Sequence, residues 1–504
     1  MSELLQRRAG VLLHPTSLPS STGIGEIGSE AYPFIDWLQQ AQVSTWQILP
    51  LVPVGSGYSP YSSWSASAGN SLLISIKDLV TDGYLPTNTL SFGVPNSIDW
   101  VHFEAITQPK EKLLQQAAES FLNQEHHLHP DFQNFLSSQA YWLSDAALFH
   151  SIRQIQQQPW WMWPDHLRTR QADALEQWQN DYAHEILCFK VIQFFFQQQW
   201  LKLKAYCEQC QIEILGDLPI YVDHNSVDVW AYQHLFDLDE QGMPHAVSGV
   251  PPDAFSATGQ LWGNPIYNWE QMKDESYQWW IQRLQRALML THKVRIDHFR
   301  AFASYWKVPY GQPDARNGEW VLGPGMEFFE VVQKHFKDLP FIAEDLGLID
   351  QPVRDLLQAS QLPGMKVLQF AFGEGEDNIY LPHRHHDKSV VYTGTHDNDT
   401  TLGWWENSDQ EIQDHVRRYL AVDGHDIVWD LIRSSMKSVA YLAVIPMQDL
   451  LTLGSSTRMN TPSKTAGNWR WRVRTEAFNE SVGGRLKDLI DLYGRNPNHD
   501  SRLV

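Results

Sequence analysis

Four acids in this chain sit where short apolar runs end: Asp217 in IEILGDLPI, Asp297 in HKVRIDHF, Glu344 (followed by Asp345) in LPFIAEDLG, and Asp397 in SVVYTGTHDN. An acid at such a place can simply cap the next helix. Four at equivalent positions, three with His, Arg or Gly alongside, suggest convergence on one site. Two carboxyl groups across a sugar can cleave a glycosidic bond, one donating a proton to the leaving oxygen and the other attacking or activating water. Arg295 and Asp297 are two residues apart, so in a strand they share a face, while Val294 and Ile296 point the other way. Desolvating two charges costs several kcal/mol per ion. The pair is therefore either a buried structural bridge or a carboxylate held ionised for work. A neighbouring guanidinium favours the charged form of Asp297. Glu344 has no adjacent cation and is the better candidate for the protonated partner.

Eight near-continuously apolar runs could position these acids. They begin at Ala9, Ser44, Ile212, His292, Leu339, Gly364, Ser389 and Val439. Continuous rather than alternating apolar character marks strands buried on both faces, as in parallel sheets. Helix-like segments lie between them, among them QPVRDLLQASQ, where Asp350 is placed as an N-cap and Pro352 falls in the first turn. Eight strands alternating with helices predict an α/β fold, a (β/α)₈ TIM barrel, whose chemistry sits at the C-terminal ends of the strands. The chain reads as a single catalytic barrel over 1–504 with two long insertions. Residues 55–210, between strands 2 and 3, form a mainly helical subdomain. Residues 219–291, between strands 3 and 4, form a loop-rich insertion containing SGVPPDAFSATGQLWGNPIYNW. Long ordered loops of that kind usually serve function.

Composition narrows the partners. The net charge of −21 disfavours nucleic acid and anionic lipid. No run of apolar residues is long enough to span a membrane. Three Cys in 504 residues argue against a disulfide framework, and a cytoplasmic location is expected. The 22 Trp mostly belong to a core, although aromatic faces also stack on the C–H faces of sugars. Cys207 and Cys210 read as two semi-buried thiols rather than a zinc or redox site. His383, His385 and His386 read as a solvated loop without metal spacing. His14 reads as a structural hydrogen-bonding residue, and WWMWP at 160–164 as packing within the insert. No Gly-rich phosphate loop follows a strand, so no nucleotide cofactor is expected, and with the histidine spacing poor no metal is expected either.

KVRIDHFRAF, PFIAEDLG, VVYTGTHDNDT and EILGDLPIYV resemble short signature regions of the α-amylase superfamily. RRAGVLLHPTSLPSSTGIGEIG, GSGYSPYSSWSASAGN, GVPPDAFSATGQLWGNPIYNW and RMNTPSKTAGNWRWR narrow the resemblance to the 4-α-glucanotransferases (glycoside hydrolase family 77) over Arg7–Arg472. One departure is Ser463, where the family often carries Gly after the Pro of MNTP. The resemblance implies transfer of α-1,4-glucan segments from a donor to the 4-hydroxyl of an acceptor by retaining double displacement. Its partners would be maltooligosaccharides, amylose, glycogen or starch. It implies that Asp297 is the nucleophile, Glu344 the general acid/base and Asp397 the third carboxylate. Arg295, His396, Tyr61 and Asp217 would surround the donor sugar, Trp262 would shape the acceptor side, and Asn468 would close over it. A hydrolase with the same carboxylates, or a catalytically dead glucan-binding protein, are the rival readings.

Overall fold

A computed structural model of the chain describes residues 6–91, 99–252 and 256–497. Twelve strands occur in chain order: β1 (Arg8–Leu12), β2 (Thr45–Gln47), β3 (Glu213–Pro219), β4 (Ala246–Val250), β5 (Gln260–Pro265), β6 (Lys293–Asp297), β7 (Ser304–Pro309), β8 (Glu319–Leu322), β9 (Phe341–Ala343), β10 (Gly364–Val367), β11 (Ser389–Tyr392) and β12 (Leu442–Pro446). Eight form one sheet in the order β10-β11-β12-β1-β2-β3-β6-β9, with every pairing parallel. The Ala343 amide donates to the Pro363 carbonyl at 2.9 Å, which brings β9 against the start of β10 and completes a (β/α)₈ TIM barrel. Each of the eight apolar runs supplies one barrel strand.

Register in this barrel is chemically important. β3 and β6 pair so that Asp217 lies opposite Arg295 and Pro219 opposite Asp297. A slip of one residue would turn these side chains to the opposite face. The outward neighbours Val294 and Ile296 are buried to about the same degree as the rest of the core, which holds the inward set in place.

Between β2 and β3 the chain forms long helices, including Phe103–Asn123, Ala140–Gln156 and Ala183–Gln209. The last of these is buried along much of its length. Phe121, Phe132, Phe194 and Phe195 interlock as an aromatic cluster within this region. Two buried glutamines on the same helix serve the backbone of the loop that leaves β2. Gln193 exchanges hydrogen bonds with the N–H and C=O of Gly69, and Gln199 does the same with Ser75. Irregular backbone is thereby satisfied inside the fold. Trp160 and Trp163 are buried, so WWMWP is packing, with Trp161 stacked on His224 at 3.9 Å.

The loop-rich segment contains β4 and β5, which join β7 and β8 in an antiparallel sheet ordered β5-β4-β7-β8. The sequence hides these strands because β5, QLWGNP, carries a Gly and a Pro, and because the partners β7 and β8 come from beyond β6. Residues Asp253–Phe255 of this segment lie outside the described residues.

Glu26, in the loop after β1, is ion-paired with Lys110 on the helix Phe103–Asn123, and both side chains are fully buried. Glu26 also accepts from Thr22 Oγ1 at 2.7 Å and from the Ile76 amide at 3.3 Å. Removing one partner of such a pair strands a buried charge. Lys110→Met is expected to lower the unfolding free energy at pH 7 by about 3–5 kcal/mol in a guanidinium titration. The double variant Glu26→Gln/Lys110→Met should recover more than half of that loss. An additive double variant would show that the pair does not act as a unit.

Candidate active site

Arg295 ends up at the centre of the barrel mouth with only 3% of its surface exposed. Its Nη1 donates to both carboxylate oxygens of Asp217, at 2.8 and 2.7 Å. Its Nη2 lies 2.7 Å from Asp297 Oδ1. One guanidinium thus serves an acid on β3 and an acid on its own strand. The Tyr61 hydroxyl donates to Asp217 Oδ2 at 2.7 Å, adding a fourth member. The Tyr61 ring stacks on His396 with centroids 5.2 Å apart and planes within 7°. His396 Nε2 is 3.3 Å from Asp397 Oδ2. Asp217, Tyr61, Arg295, Asp297, His396 and Asp397 therefore form one connected cluster.

Glu344 follows β9, and its carboxyl is held by backbone donors. Oε2 accepts from the His298 amide at 2.7 Å and Oε1 from the Leu346 amide at 2.9 Å. His298 directly follows Asp297 and adopts a left-handed conformation with φ 54°, and its amide ties the end of β6 to Glu344. Asp345, by contrast, faces β10, where its Oδ1 accepts from the Met365 amide at 2.6 Å. Of the adjacent acids, Glu344 faces the mouth and Asp345 braces the wall.

Burial pushes the Asp297 carboxyl up to about 6. Arg295 pulls it down, Asp217 and Asp397 push it further up, and His396 offsets part of that. The expectation that Arg295 depresses this group is thus half right, since the cation acts in that direction but desolvation outweighs it. Burial raises Glu344 further, to about 8, against Arg295, which lowers it, with the charge on Asp297 adding to the rise and the two backbone donors opposing it. Glu344 is thus raised above Asp297, so of two carboxyl groups at neighbouring strand ends the proton favours Glu344 and the charge favours Asp297.

Asp397 is fixed from a different direction. Asn460 Nδ2 donates to its Oδ1 at 2.6 Å, and Arg458 Nη2 donates to its backbone carbonyl at 3.0 Å. Both belong to the segment 458–471. In the same segment Asn468 Oδ1 accepts from the Thr461 amide at 3.0 Å, and its Nδ2 donates to the Lys464 carbonyl at 2.8 Å. Asn468 braces the loop by these bonds. Trp469 packs beside both Tyr61 and His396. Ser463 has φ 69°, in the left-handed region that glycine enters without steric cost, so the backbone at this position suits a Gly. Trp262 on β5 is 38% exposed and meets the His298 ring edge-on at 4.6 Å.

His298, Asn460, Arg458 and Trp469 were not singled out from the sequence. Their only signals are adjacency to Asp297 in RIDHF and membership of RMNTPSKTAGNW. Other expectations shift in detail. Cys207 and Cys210 are free and buried. His385 is not solvated, because its ring nitrogens meet Ser438 Oγ at 2.7 Å and the Tyr380 carbonyl at 2.9 Å. His14 Nδ1 is buried without a protein hydrogen-bond partner among the described residues. Also among the described residues, no group of His, Cys, Asp and Glu is arranged to hold a metal, and no helix is long and apolar enough to cross a membrane.

A parallel (β/α)₈ barrel with a charge-coupled carboxyl set at its C-terminal mouth has the layout of a barrel enzyme that works by carboxyl acid–base chemistry, as glycosidic-bond enzymes do. The 4-alpha-glucanotransferase family description matches residues 13–477. The chain is 46% identical over 498 residues to the chloroplastic/amyloplastic 4-alpha-glucanotransferase of Arabidopsis thaliana, covering 97% of this chain and 86% of that protein. It is 46% identical over 500 residues to the Synechocystis 4-alpha-glucanotransferase, covering 98% and 99%. The amylomaltase of Streptococcus agalactiae in complex with acarbose superposes with a TM-score of 0.95 at 36% identity, covering 97% of this chain and all of that one. The chain belongs to the 4-alpha-glucanotransferase family, and it is a glycosyltransferase.

The pKa ordering sets the pH dependence. kcat/KM should follow a bell with limbs near 6 and 8, the acid limb from Asp297 and the basic limb from Glu344. Arg295→Met removes the cation that pulls Asp297 down, so the acid limb moves upward and activity falls at every pH. An unchanged acid limb would show that the pair is structural only.

Proposed function

We propose that the chain transfers α-1,4-glucan segments by retaining double displacement. The Asp297 carboxylate attacks the anomeric carbon of the donor while Glu344 gives its proton to the departing O4, leaving a glycosyl ester on Asp297. The 4-hydroxyl of an acceptor glucan or of glucose then attacks that carbon. Glu344, now ionised, takes the hydroxyl proton and Asp297 leaves as carboxylate. The observation that carries this reading is the Arg295–Asp297 ion pair at 2.7 Å, with the Glu344 carboxyl tied to the end of the same strand by the His298 amide at 2.7 Å.

The remaining roles follow from position. Asp397, oriented by Asn460, accepts from donor-sugar hydroxyls. Arg295 and His396 flank the same sugar, Tyr61 offers it an aromatic face, and Asp217 aims Arg295 and Tyr61. Trp262, partly exposed beside His298, receives the acceptor glucose. Asn468 and its loop close over the acceptor side. The substrates are maltooligosaccharides, amylose, glycogen or starch, supported by the family and by the acarbose complex of the similar amylomaltase. In this reading 1–504 is one catalytic barrel, 55–210 is its helical insert, and 219–291 shapes the acceptor side. We place the enzyme in the cytoplasm, in glucan metabolism, with three free thiols in 504 residues as the support for that compartment.

Two experiments test this. In the variant Glu344→Gln a donor with a good leaving group still reacts in the first step but stalls in the second, and mass spectrometry of peptides should find a glycosyl group on Asp297. A label elsewhere, or a β-configured product, would overturn the double displacement. With maltotriose the enzyme should yield glucose and a ladder of longer oligomers, whereas a hydrolase gives only shorter sugars and a binder gives nothing. Trp262→Ala should raise the ratio of hydrolysis to transfer several-fold with smaller loss of total turnover. Equal loss of both activities would place Trp262 on the donor side.

A further inference from the structure

The loop that carries His396 and Asp397 is gripped at its base by a carboxyl group with no part in the chemistry described above. Asp449 lies in the short helix Met447–Leu450 that follows β12, and it is 1% exposed. Its Oδ2 accepts from Thr393 Oγ1 at 2.5 Å and from Thr401 Oγ1 at 2.6 Å, and its Oδ1 accepts from the Thr401 amide at 2.7 Å. Thr393 is the first residue after β11, and Thr401 opens the helix Thr401–Asn407. Both are fully buried. One carboxyl group therefore pins the two ends of the loop 393–401 side by side, with His396 and Asp397 at its middle. Burying a carboxyl group is costly unless its oxygens are satisfied. Three donors converging on two oxygens meet that condition, and a side chain with one acceptor oxygen cannot.

The chain that continues from Asp449 holds the same loop at its tip. Ser455 Oγ donates to Asp399 Oδ2 at 2.9 Å, and Arg458 Nη2 donates to the Asp397 carbonyl at 3.0 Å. The Asn460 amide donates to the His396 carbonyl at 3.1 Å, and Asn460 Nδ2 donates to Asp397 Oδ1 at 2.6 Å. Inside the loop, the Thr395 amide and hydroxyl both donate to Asn398 Oδ1 at 2.8 Å, and the Asp397 amide donates to Thr395 Oγ1 at 3.2 Å. These internal bonds stiffen the loop, so a shift at Thr393 or Thr401 is passed on to Asp397 rather than absorbed.

We propose that Asp449 is a positioning residue for the transfer reaction, setting the place of Asp397, and with it His396, by closing the base of their loop. This rests on the transfer reading and on the role given to Asp397 above. Asp449 touches no sugar and acts only through the loop it closes. A displacement of about 1 Å at a reacting or sugar-orienting group can lower a rate by about a hundredfold. Asp449→Asn keeps the shape of the side chain but leaves one acceptor oxygen. With that oxygen on the two hydroxyls, the new NH2 group faces the Thr401 amide, and two donors meet.

In Asp449→Asn, kcat for transfer with maltotriose should fall about ten- to hundredfold while KM stays within about threefold. Thr393→Val, which removes one donor and is the milder change, should give a smaller loss of the same kind. A double-mutant comparison uses an α-maltosyl fluoride donor, reactive enough to keep weakened variants measurable. On it, Asp449→Asn should lower kcat by less than about threefold once Asp397→Asn is present, because the residue it places has already been lost. Hydrogen exchange read by mass spectrometry should show faster exchange in peptides spanning 393–401 in Asp449→Asn, a readout independent of activity. Lys110→Met, destabilised elsewhere in the fold, is the control and should keep its kcat. An unchanged kcat in Asp449→Asn, or a fall matched by the loss of folded protein, would overturn the proposal. So would an equal loss with and without Asp397→Asn, or unchanged exchange of the loop. Absence of transfer by the unaltered enzyme would instead sink the function reading, and the exchange measurement would still decide whether Asp449 holds the loop.

Discussion

One guanidinium, Arg295, answers to two carboxylates, and the layout of the mouth depends on that shortage of positive charge. Asp217 takes two hydrogen bonds from it and Asp297 takes one ion-pair contact. Burial raises Glu344 most, the charge on Asp297 adds to the rise, and Arg295 with two backbone donors offsets only part of it, so the proton favours Glu344. Separation of roles between Asp297 and Glu344 thus comes first from burial, which raises both groups and Glu344 further, and second from the charges gathered around Arg295. The barrel ladder enforces it, since β3 and β6 pair with Asp217 opposite Arg295.

The mouth is assembled from strand ends far apart in sequence, and backbone atoms do much of the joining. The His298 amide carries Glu344 to the end of β6. Asn460 and Arg458 carry the segment 458–471 to Asp397. The segment that packs around Tyr61 and His396 through Trp469 is therefore the one that orients the third carboxylate. In the proposed mechanism this couples the loop that closes over the acceptor side to the orientation of the acid that binds donor hydroxyls.

Barrel strands were legible in the sequence because parallel strands buried on both faces leave continuous apolar runs, and all eight runs became strands. Acids at their ends were legible because each closes an apolar run where the chain emerges from the barrel. The antiparallel sheet was not, since β8 is four residues long and largely exposed, and β5 contains Gly263 and Pro265. Its partners are also separated by β6. Asp297 illustrates a different limit. The adjacent Arg295 could be read from spacing, but the desolvation that outweighs it depends on the whole mouth and leaves no local mark. Asn460 and His298 act through single hydrogen bonds, which no periodicity records.

Neutron diffraction of deuterium-exchanged crystals at pH 7 tests the central claim most directly, because it locates the protons themselves. The account predicts a deuteron on the Glu344 carboxyl, none on Asp297, and a fully charged Arg295 beside Asp297. A deuteron on Asp297, or an ionised Glu344, would contradict the claim that burial and the charges around Arg295 set the acid and the nucleophile apart.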